Sequence, residues 1–223
     1  MSKLYKKFNA IMKDKTVLES INKNNEASNC YSCHGIYHTM FVEKTVKQIL
    51  ECLGDSKENI MLGIIAARFH DIGCIKGKKN HAYNSYKITK KYLEKYNFSK
   101  KEKQIILDAI LNHTDGNKIK TTVGAALLLA DKIHISKDRV IPKKKHVNYF
   151  NENNALVEKV ELDIDNENIY LDFIVDKGYD PFSLKYWPKT ILIPQKVAKY
   201  LNKNCIFYIN HKKVNFNKFI KNR

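Results

Sequence analysis

The sequence predicts a mainly α protein in which a helical domain over residues 1–145 is followed by a small C-terminal α+β annex over residues 150–223. Two observations support this: apolar residues recur at helical spacing up to about Ile135, and from Val160 they alternate with polar residues. Of the 223 residues, 43% are hydrophobic and 28% are charged, which fits a globular chain rather than a disordered one. At this length, one core with a small addition is expected.

The helices of the first domain are each predicted from an amphipathic stripe and its end signals. A polar stretch, Asn22–Asn29, separates the first two, and Gly54 and Gly73 end the second and third. The predicted helices are Leu4–Ile21, Gly35–Leu53, Asn59–His70, one that follows the N-cap Asn80, one that follows the capping box of Ser99 and Glu102, and Val123–Ile135 after Thr122.

The annex begins with a predicted β-hairpin. Val160–Ile164 and Ile169–Val175 alternate apolar and polar residues on either side of the turn at Asn166–Asn168. Pro194 is expected to open a short helix. Two further strands are predicted, at Cys205–Ile209 and Val214–Phe216.

The charge pattern favours an anionic partner for the first domain. Residues 1–150 contain 28 Lys and Arg against 14 Asp and Glu, a net charge of +14, within a chain of net charge +17. Only three cations are arginines, which argues against a nucleic-acid partner. No apolar stretch approaches the roughly 20 residues that span a bilayer, so no membrane partner is expected. The five scattered cysteines fit a reducing compartment, and we expect a cytoplasmic protein.

Candidate metal ligands lie on the predicted inner faces of the helices. Four histidines and one aspartate come from five successive helices, with Asp71 adjacent: His38, His70, His81, His113 and Asp131. Any one alone is readily explained as a hydrogen-bonded core residue, but an apolar core does not hold so many polar groups unpaired, at about 1–3 kcal/mol each. A metal cation removes this conflict, and imidazoles with carboxylates suit Fe, Mn or Zn.

These residues resemble the HD-domain metal-dependent phosphohydrolases in their order along the chain. The pattern is an early His38, the doublet His70-Asp71 and the distal Asp131. The intervening His81 and His113 are similar to the two-metal branch, which includes bacterial symmetrical dinucleoside tetraphosphate hydrolases. The resemblance covers about Gly35–Arg139 and implies an HD-domain helical bundle.

The resemblance also implies the chemistry. His38, His70, Asp71 and Asp131 would bind one divalent metal, and His81 and His113 a second, with Asp71 bridging the two and Asp71, His81 and His113 in catalytic roles. Two such cations lower the pKa of a shared water, which then attacks phosphorus. Fe or Mn is favoured, with Zn, Ni, Co and Mg open. The expected activity is hydrolysis of a phosphoester or phosphoanhydride in a nucleotide or dinucleotide.

Several alternatives stay open. The chain could be a single-metal 5'-nucleotidase-like enzyme, or a basic nucleic-acid-binding module with a vestigial metal site. The annex could be a lid, a ligand-sensing module or the surface of a homodimer. Residues that could bind substrate phosphate, or be solvated surface cations, are Lys76, Lys78, Lys79, Lys132 and Arg139.

One further motif, Cys30-x-x-Cys33-His34, has the spacing that attaches c-type haem. Such attachment normally follows export, and the first residues do not read as a signal sequence, so we expect thiols at a helix entry. His34 is left open as an extra ligand or a substrate contact. Residues without an assigned role are His134, His146 and His211, all expected to be exposed, and Trp187, a packing residue.

Overall fold

The computed structural model describes residues 2–27, 34–141, 149–181 and 188–216. The chain divides into two compact units: the first comprises the described residues up to 131, and the second those from 132 onward. The predicted fold class is confirmed, since helices form the first unit and a four-stranded sheet appears in the second. A domain boundary between residues 145 and 150 stays a prediction.

The first unit is a bundle of helices whose apolar faces form one core. Its α-helices are α1 (Lys3–Met12), α2 (Lys15–Ala27), α3 (Ile36–Cys52), α4 (Lys57–Phe69), α5 (His81–Lys95), α6 (Lys100–Asn112) and most of α7 (Thr122–Ile133). A 3-10 helix, Ile72–Lys76, links α4 to α5. Helix α3 packs against α4, which also contacts α1 and α6. Ile49, Ile65 and Ile106 from these helices are fully buried, so the core lies between them.

The N-terminal segment is two helices rather than the single predicted one. The break occurs at Asp14, whose carboxylate accepts hydrogen bonds from the backbone N–H and hydroxyl of Thr16, at 2.9 and 2.6 Å, and so caps α2. The polar stretch from Asn22 was also predicted wrongly as a break, because α2 continues to Ala27. Its polar residues are not all solvated, since Asn24 is fully buried.

Of two caps predicted by hydroxyl residues, one is confirmed and one is wrong. The capping box of Ser99 and Glu102 is confirmed. Thr122, however, donates its hydroxyl hydrogen to Asp55, and α7 is capped by the hydroxyl of Thr121, which accepts the Gly124 N–H at 3.0 Å. Two hydroxyl residues in succession compete for one capping position, which sequence alone does not decide.

The segment between α4 and α5 contains the 3-10 helix Ile72–Lys76. Gly73 does not simply end a helix but lies inside the 3-10 helix, where an added Cβ would stand 2.3 Å from the backbone nitrogen of Ser85. Asn80 precedes α5 as predicted, in a left-handed conformation (φ 59°), but its side chain makes no capping hydrogen bond. Glycine therefore lets the 3-10 helix approach the backbone of α5.

The second unit contains the predicted hairpin. Its elements are a 3-10 helix (Lys137–Arg139), α8 (Tyr149–Asn154), β1 (Val157–Ile164), β2 (Asn168–Val175), α9 (Lys189–Tyr200), β3 (Asn204–Ile209) and β4 (Lys212–Val214). The sheet order is β1-β2-β3-β4, with β2 and β3 parallel and the other two pairs antiparallel. A parallel pair requires a crossover, which contains α9.

Two boundaries in the second unit were predicted wrongly. Helix α9 begins at Lys189 and contains Pro194 rather than opening with it, because buried residues such as Ile191 and Val197 hold the helix on both sides of the proline. The last strand ends at Val214, and Phe216 is buried beyond it. In the part of the chain that the structure describes, every helix is too short or too polar to cross a bilayer.

Candidate metal centre

Six polar side chains from the first unit converge in its interior. They form two groups that share Asp71, and within each group one ligand atom per residue lies within 4.8 Å of the others. The first group is His38, His70, Asp71 and Asp131, and the second is Asp71, His81 and His113.

Most of these residues lie at or next to the ends of helices. His70 and His113 directly follow α4 and α6, and His81 is the first residue of α5. Asp71 lies between α4 and the 3-10 helix. At a helix end a side chain lies beside free backbone groups, which can orient it.

A partly buried ion pair connects α3, which carries His38, to α4, which His70 follows. The guanidinium of Arg68 on α4 donates to both carboxylate oxygens of Glu43 on α3, at 2.8 and 3.0 Å. It also donates to the backbone carbonyl of Met12, at 3.1 Å. These bonds fix α3 against α4, and therefore His38 against His70.

The first group is tightly packed. The Nε2 atoms of His38 and His70 are 3.1 Å apart, and His38 Nε2 lies 3.3 Å from Asp131 Oδ1. Asp71 Oδ2 lies 3.2 Å from His70 Nε2 and 3.5 Å from His38 Nε2. Four potential metal-ligating atoms, one from each residue, therefore lie within 4.8 Å of one another.

The second group uses the other oxygen of the same carboxylate. Asp71 Oδ1 lies 3.5 Å from His113 Nε2 and 3.6 Å from His81 Nε2. The two imidazole nitrogens are 3.2 Å apart. Asp71 therefore presents one oxygen to each group.

Backbone carbonyls determine the tautomers of three of these histidines. The Nδ1 atoms of His70, His81 and His113 lie 2.7, 2.9 and 2.6 Å from the carbonyl oxygens of Ala67, Lys78 and Ile110. A carbonyl only accepts, so each Nδ1 carries a proton and each neutral ring has its lone pair on Nε2. The Nε2 lone pairs of His81 and His113 then face each other and repel unless a proton or a metal cation lies between them.

The charge state of Asp71 suits metal binding. Burial raises the pKa of its carboxyl, but the positive charge of His70 and the contacts with the neighbouring imidazoles outweigh burial and hold that pKa well below its usual range. Asp71 is therefore an anion at neutral pH.

Two histidines are shifted in opposite directions. Burial lowers the pKa of His70, yet the adjacent Asp71 more than compensates and the pKa is raised. For His81 burial is the larger effect, and its pKa is lowered despite Asp71. A metal ion must displace a proton more often at His70 than at His81.

The residues fit a divalent metal. Asp71 Oδ1 is buried and accepts no hydrogen bond from the residues that the structure describes, so it is free to coordinate a cation. The donors are imidazole nitrogens and carboxylate oxygens, a set that binds first-row divalent ions.

The predicted phosphate-binding residues lie in different environments. Lys76, Lys78 and Lys79 are exposed, and Lys78 contacts His81 through its backbone carbonyl rather than its ammonium group. In the second unit Lys132 is partly exposed, whereas Arg139 is buried and donates to the carbonyl of His134 at 3.1 Å. Their roles toward substrate stay predictions.

His34 and Cys74 lie beside the six residues. His34 is buried, and its ring centroid is 6.0 Å from that of His38. With Asp71 and Cys74 it forms a third group whose ligand atoms lie within 4.8 Å of one another. We left the role of His34 open and missed Cys74, although Cys74 follows Asp71 by three residues. The remainder of the motif, Cys30 and Cys33, lies outside the described residues.

The other histidines differ partly from expectation. His134 is buried rather than exposed, and its Nε2 lies 3.3 Å from a carboxylate oxygen of Asp138. His211 is exposed as predicted but pairs with Asp172 at 2.7 Å. His146 and Trp187 lie outside the described residues.

The chain is similar to known proteins of one family. A family model described as HD domain matches residues 35–164. A solved structure of a predicted HD superfamily hydrolase from an uncultured Thermotogales bacterium is 18% identical, covers 63% of this chain and 84% of its own, and has a TM-score of 0.44. No curated protein matches the chain.

Proposed function

The chain belongs to the HD domain family of metal-dependent phosphohydrolases, and on that premise we propose that it hydrolyses a nucleotide or dinucleotide at a two-metal centre. The bond cleaved is a phosphoester or a phosphoanhydride. The observation that carries the proposal is Asp71, a buried carboxylate whose two oxygens face two separate groups of ligands.

Each residue has a distinct part in this proposal. Asp71 would hold both cations, because its two oxygens lie beside different groups. His38, His70 and Asp131 complete the first position. When bound, the two cations supply Lewis acidity and lower the pKa of a water. Fe or Mn is the favoured metal.

His81 and His113 complete the second position with only one carboxylate oxygen. Three protein ligands leave room for water or a phosphate oxygen, as in catalytic metal sites. The hydrogen bonds from Nδ1 of His81 and His113 to backbone carbonyls fix the orientation of both rings and leave each Nε2 available to a metal. A single-metal nucleotidase is the weaker alternative, because a proton would then have to lie between the facing Nε2 atoms of His81 and His113, and burial lowers the pKa of His81.

The substrate class rests on charge and on resemblance. The net charge of +14 in residues 1–150 favours a polyanion. The residue pattern is similar to that of the symmetrical dinucleoside tetraphosphate hydrolases, so a dinucleoside polyphosphate is the first substrate to test, followed by mononucleotides and cyclic dinucleotides. A homodimer and a cytoplasmic location stay predictions.

Metal analysis together with hydrolysis tests the proposal. The wild-type protein, reloaded with Mn or Fe, is expected to bind about two metal equivalents and to release phosphate or a nucleotide from one of these substrates. Asp71→Ala should bind neither metal firmly and should lose hydrolysis. The control is Asp14→Ala, which removes an aspartate that binds Thr16 and Tyr96 outside both groups. Full activity of Asp71→Ala would refute the proposal.

A further inference from the structure

A buried asparagine on α2 contacts the residue that the two ligand groups share. Asn24 is fully buried, and its Nδ2 donates to the backbone carbonyl of Asp71 at 2.9 Å. The two residues are 47 positions apart in the sequence. Asn24 lies outside the two groups of candidate ligands.

Among the described residues, only the donor half of the Asn24 amide makes a hydrogen bond. Its Oδ1 is buried and accepts no hydrogen bond from the described residues. An unpaired buried oxygen is unfavourable, and an apolar residue of the same shape, such as leucine, would avoid it. The amide N–H group, which donates to Asp71, is therefore the part of the Asn24 side chain that favours asparagine at this position.

The backbone carbonyl of Asp71 accepts more than one hydrogen bond. Asp71 lies where the chain leaves α4 for the 3-10 helix. Its carbonyl also accepts the N–H of Cys74 at 2.8 Å. A small rotation of this peptide would redirect the Asp71 carboxylate, whose two oxygens must face different groups.

A second contact holds the same segment from another helix. The Gly73 N–H donates to the hydroxyl of Ser85 on α5 at 2.9 Å. The residues from Asp71 to Gly73 are thus fastened to α5 by Ser85 and to α2 by Asn24. Of these two contacts, only that of Asn24 is made to Asp71 itself.

We propose that Asn24 is a positioning residue, which orients the bridging carboxylate by holding the Asp71 backbone. This inference rests on the proposed two-metal function. Because Asp71 belongs to both groups, loss of the Asn24 donor weakens both metal positions together. Loss of an individual histidine ligand would mainly affect one.

The experiment is a calorimetric titration of metal-free protein with Mn²⁺ alone. Asn24→Leu keeps the shape of the side chain without its donor, and Asn24→Asp replaces the donor by an acceptor that repels the Asp71 carbonyl. Residues that orient metal ligands typically contribute 10- to 100-fold to affinity, so both variants should raise both Kd values by about that factor. If Asn24→Leu does not fold, Asn24→Asp carries the test.

The matched control is Asn153→Leu. Asn153 is a buried asparagine that bonds both backbone groups of Asp180 in the second unit, so its loss lowers the melting temperature without touching a metal ligand. Its Kd values for Mn²⁺ should match those of the wild type. If an Asn24 variant binds Mn²⁺ with the same Kd values as the wild type, only the role of Asn24 is overturned. If the wild-type protein itself binds neither Mn²⁺ nor Fe²⁺, the proposed function is overturned and this inference with it.

Discussion

The two ligand groups share one carboxylate but differ in exposure. In the first, the side chains of His38 and His70 are 0% exposed and that of Asp131 is 9% exposed. In the second, the side chain of His81 is 17% exposed, and its ring is oriented by the backbone carbonyl of Lys78. A closed group with four ligands should hold its metal firmly, and an open group with three should exchange metal and accept phosphate.

The largest expected effect comes from the closed group. His70→Ala should lose the firmly held metal and about 1,000-fold or more in kcat/KM, because metal ions stabilise the transition state by several kcal/mol. His81→Ala should lose one metal equivalent but keep the other, with a smaller loss of activity. Metal content and kinetics of the two variants measure this difference.

His134→Ala is the control for both, since it removes a histidine of the second unit that, among the described residues, lies outside the groups of possible metal ligands. If His81→Ala lost both metals and His70→Ala only one, the assignment of the closed and open groups would have to be reversed.

Gly73→Ala should also affect the two groups differently, but its effect should be smaller than that of removing a histidine. The added Cβ pushes the 3-10 helix away from α5, which carries His81 at its first residue. We expect a loss of about 1–3 kcal/mol in stability, as for other overpacked sites, and weaker Mn²⁺ binding at the second position only. Thermal unfolding and titration measure the two effects.

The control for that variant is Gly124→Ala, where the nearest atom to an added Cβ is a side-chain oxygen at 3.5 Å. This variant should leave both measurements close to those of the wild type. Equal weakening of both positions in Gly73→Ala would mean that the glycine acts through Asp71 rather than through His81.

The smallest expected effect is on proton release. At a pH below the pKa of a ligand, protons compete with the metal for that ligand. The pKa of His70 is raised and that of His81 is lowered. Protons therefore compete with the metal at a higher pH in the first group than in the second. At pH 7, Mn²⁺ binding to His81→Ala, which keeps the first group, should therefore release more protons than binding to His70→Ala. Calorimetry in buffers of different ionisation enthalpy counts these protons, and equal release by both variants would contradict the assigned shifts.

Residue type and helical spacing were enough to predict the mainly α fold and to select the six candidate ligands. An imidazole or carboxylate on the apolar stripe of a helix is a visible conflict, as at His38 and His113, both of which are buried. The hairpin was also predictable, because alternation along Val157–Ile164 and Asn168–Val175 is a local pattern. The roles of the six residues stay predictions.

Other features had no local signal. The break at Asp14 arises because its side chain caps the next helix. An aspartate in the middle of a helix would be interpreted from sequence as a solvated surface charge, so the residue type alone does not predict the break. The close approach at Gly73 depends on the backbone of α5 rather than on any neighbouring residue in the sequence. Asn24 was placed in a polar stretch expected to be a break, and its burial follows only from the packing of α2 against the 3-10 helix.

The sequence by itself determined which chemical groups are available and the order in which the helices present them, because side-chain identity and apolar periodicity are properties of the chain. The tertiary structure decided how those groups are aimed. The carbonyls of Ala67 and Ile110 orient His70 and His113, and every residue carries a carbonyl, so no letter of the sequence marks the ones that act. The bond from Asn24 to Asp71 likewise exists only because folding brings together residues that are far apart in the chain.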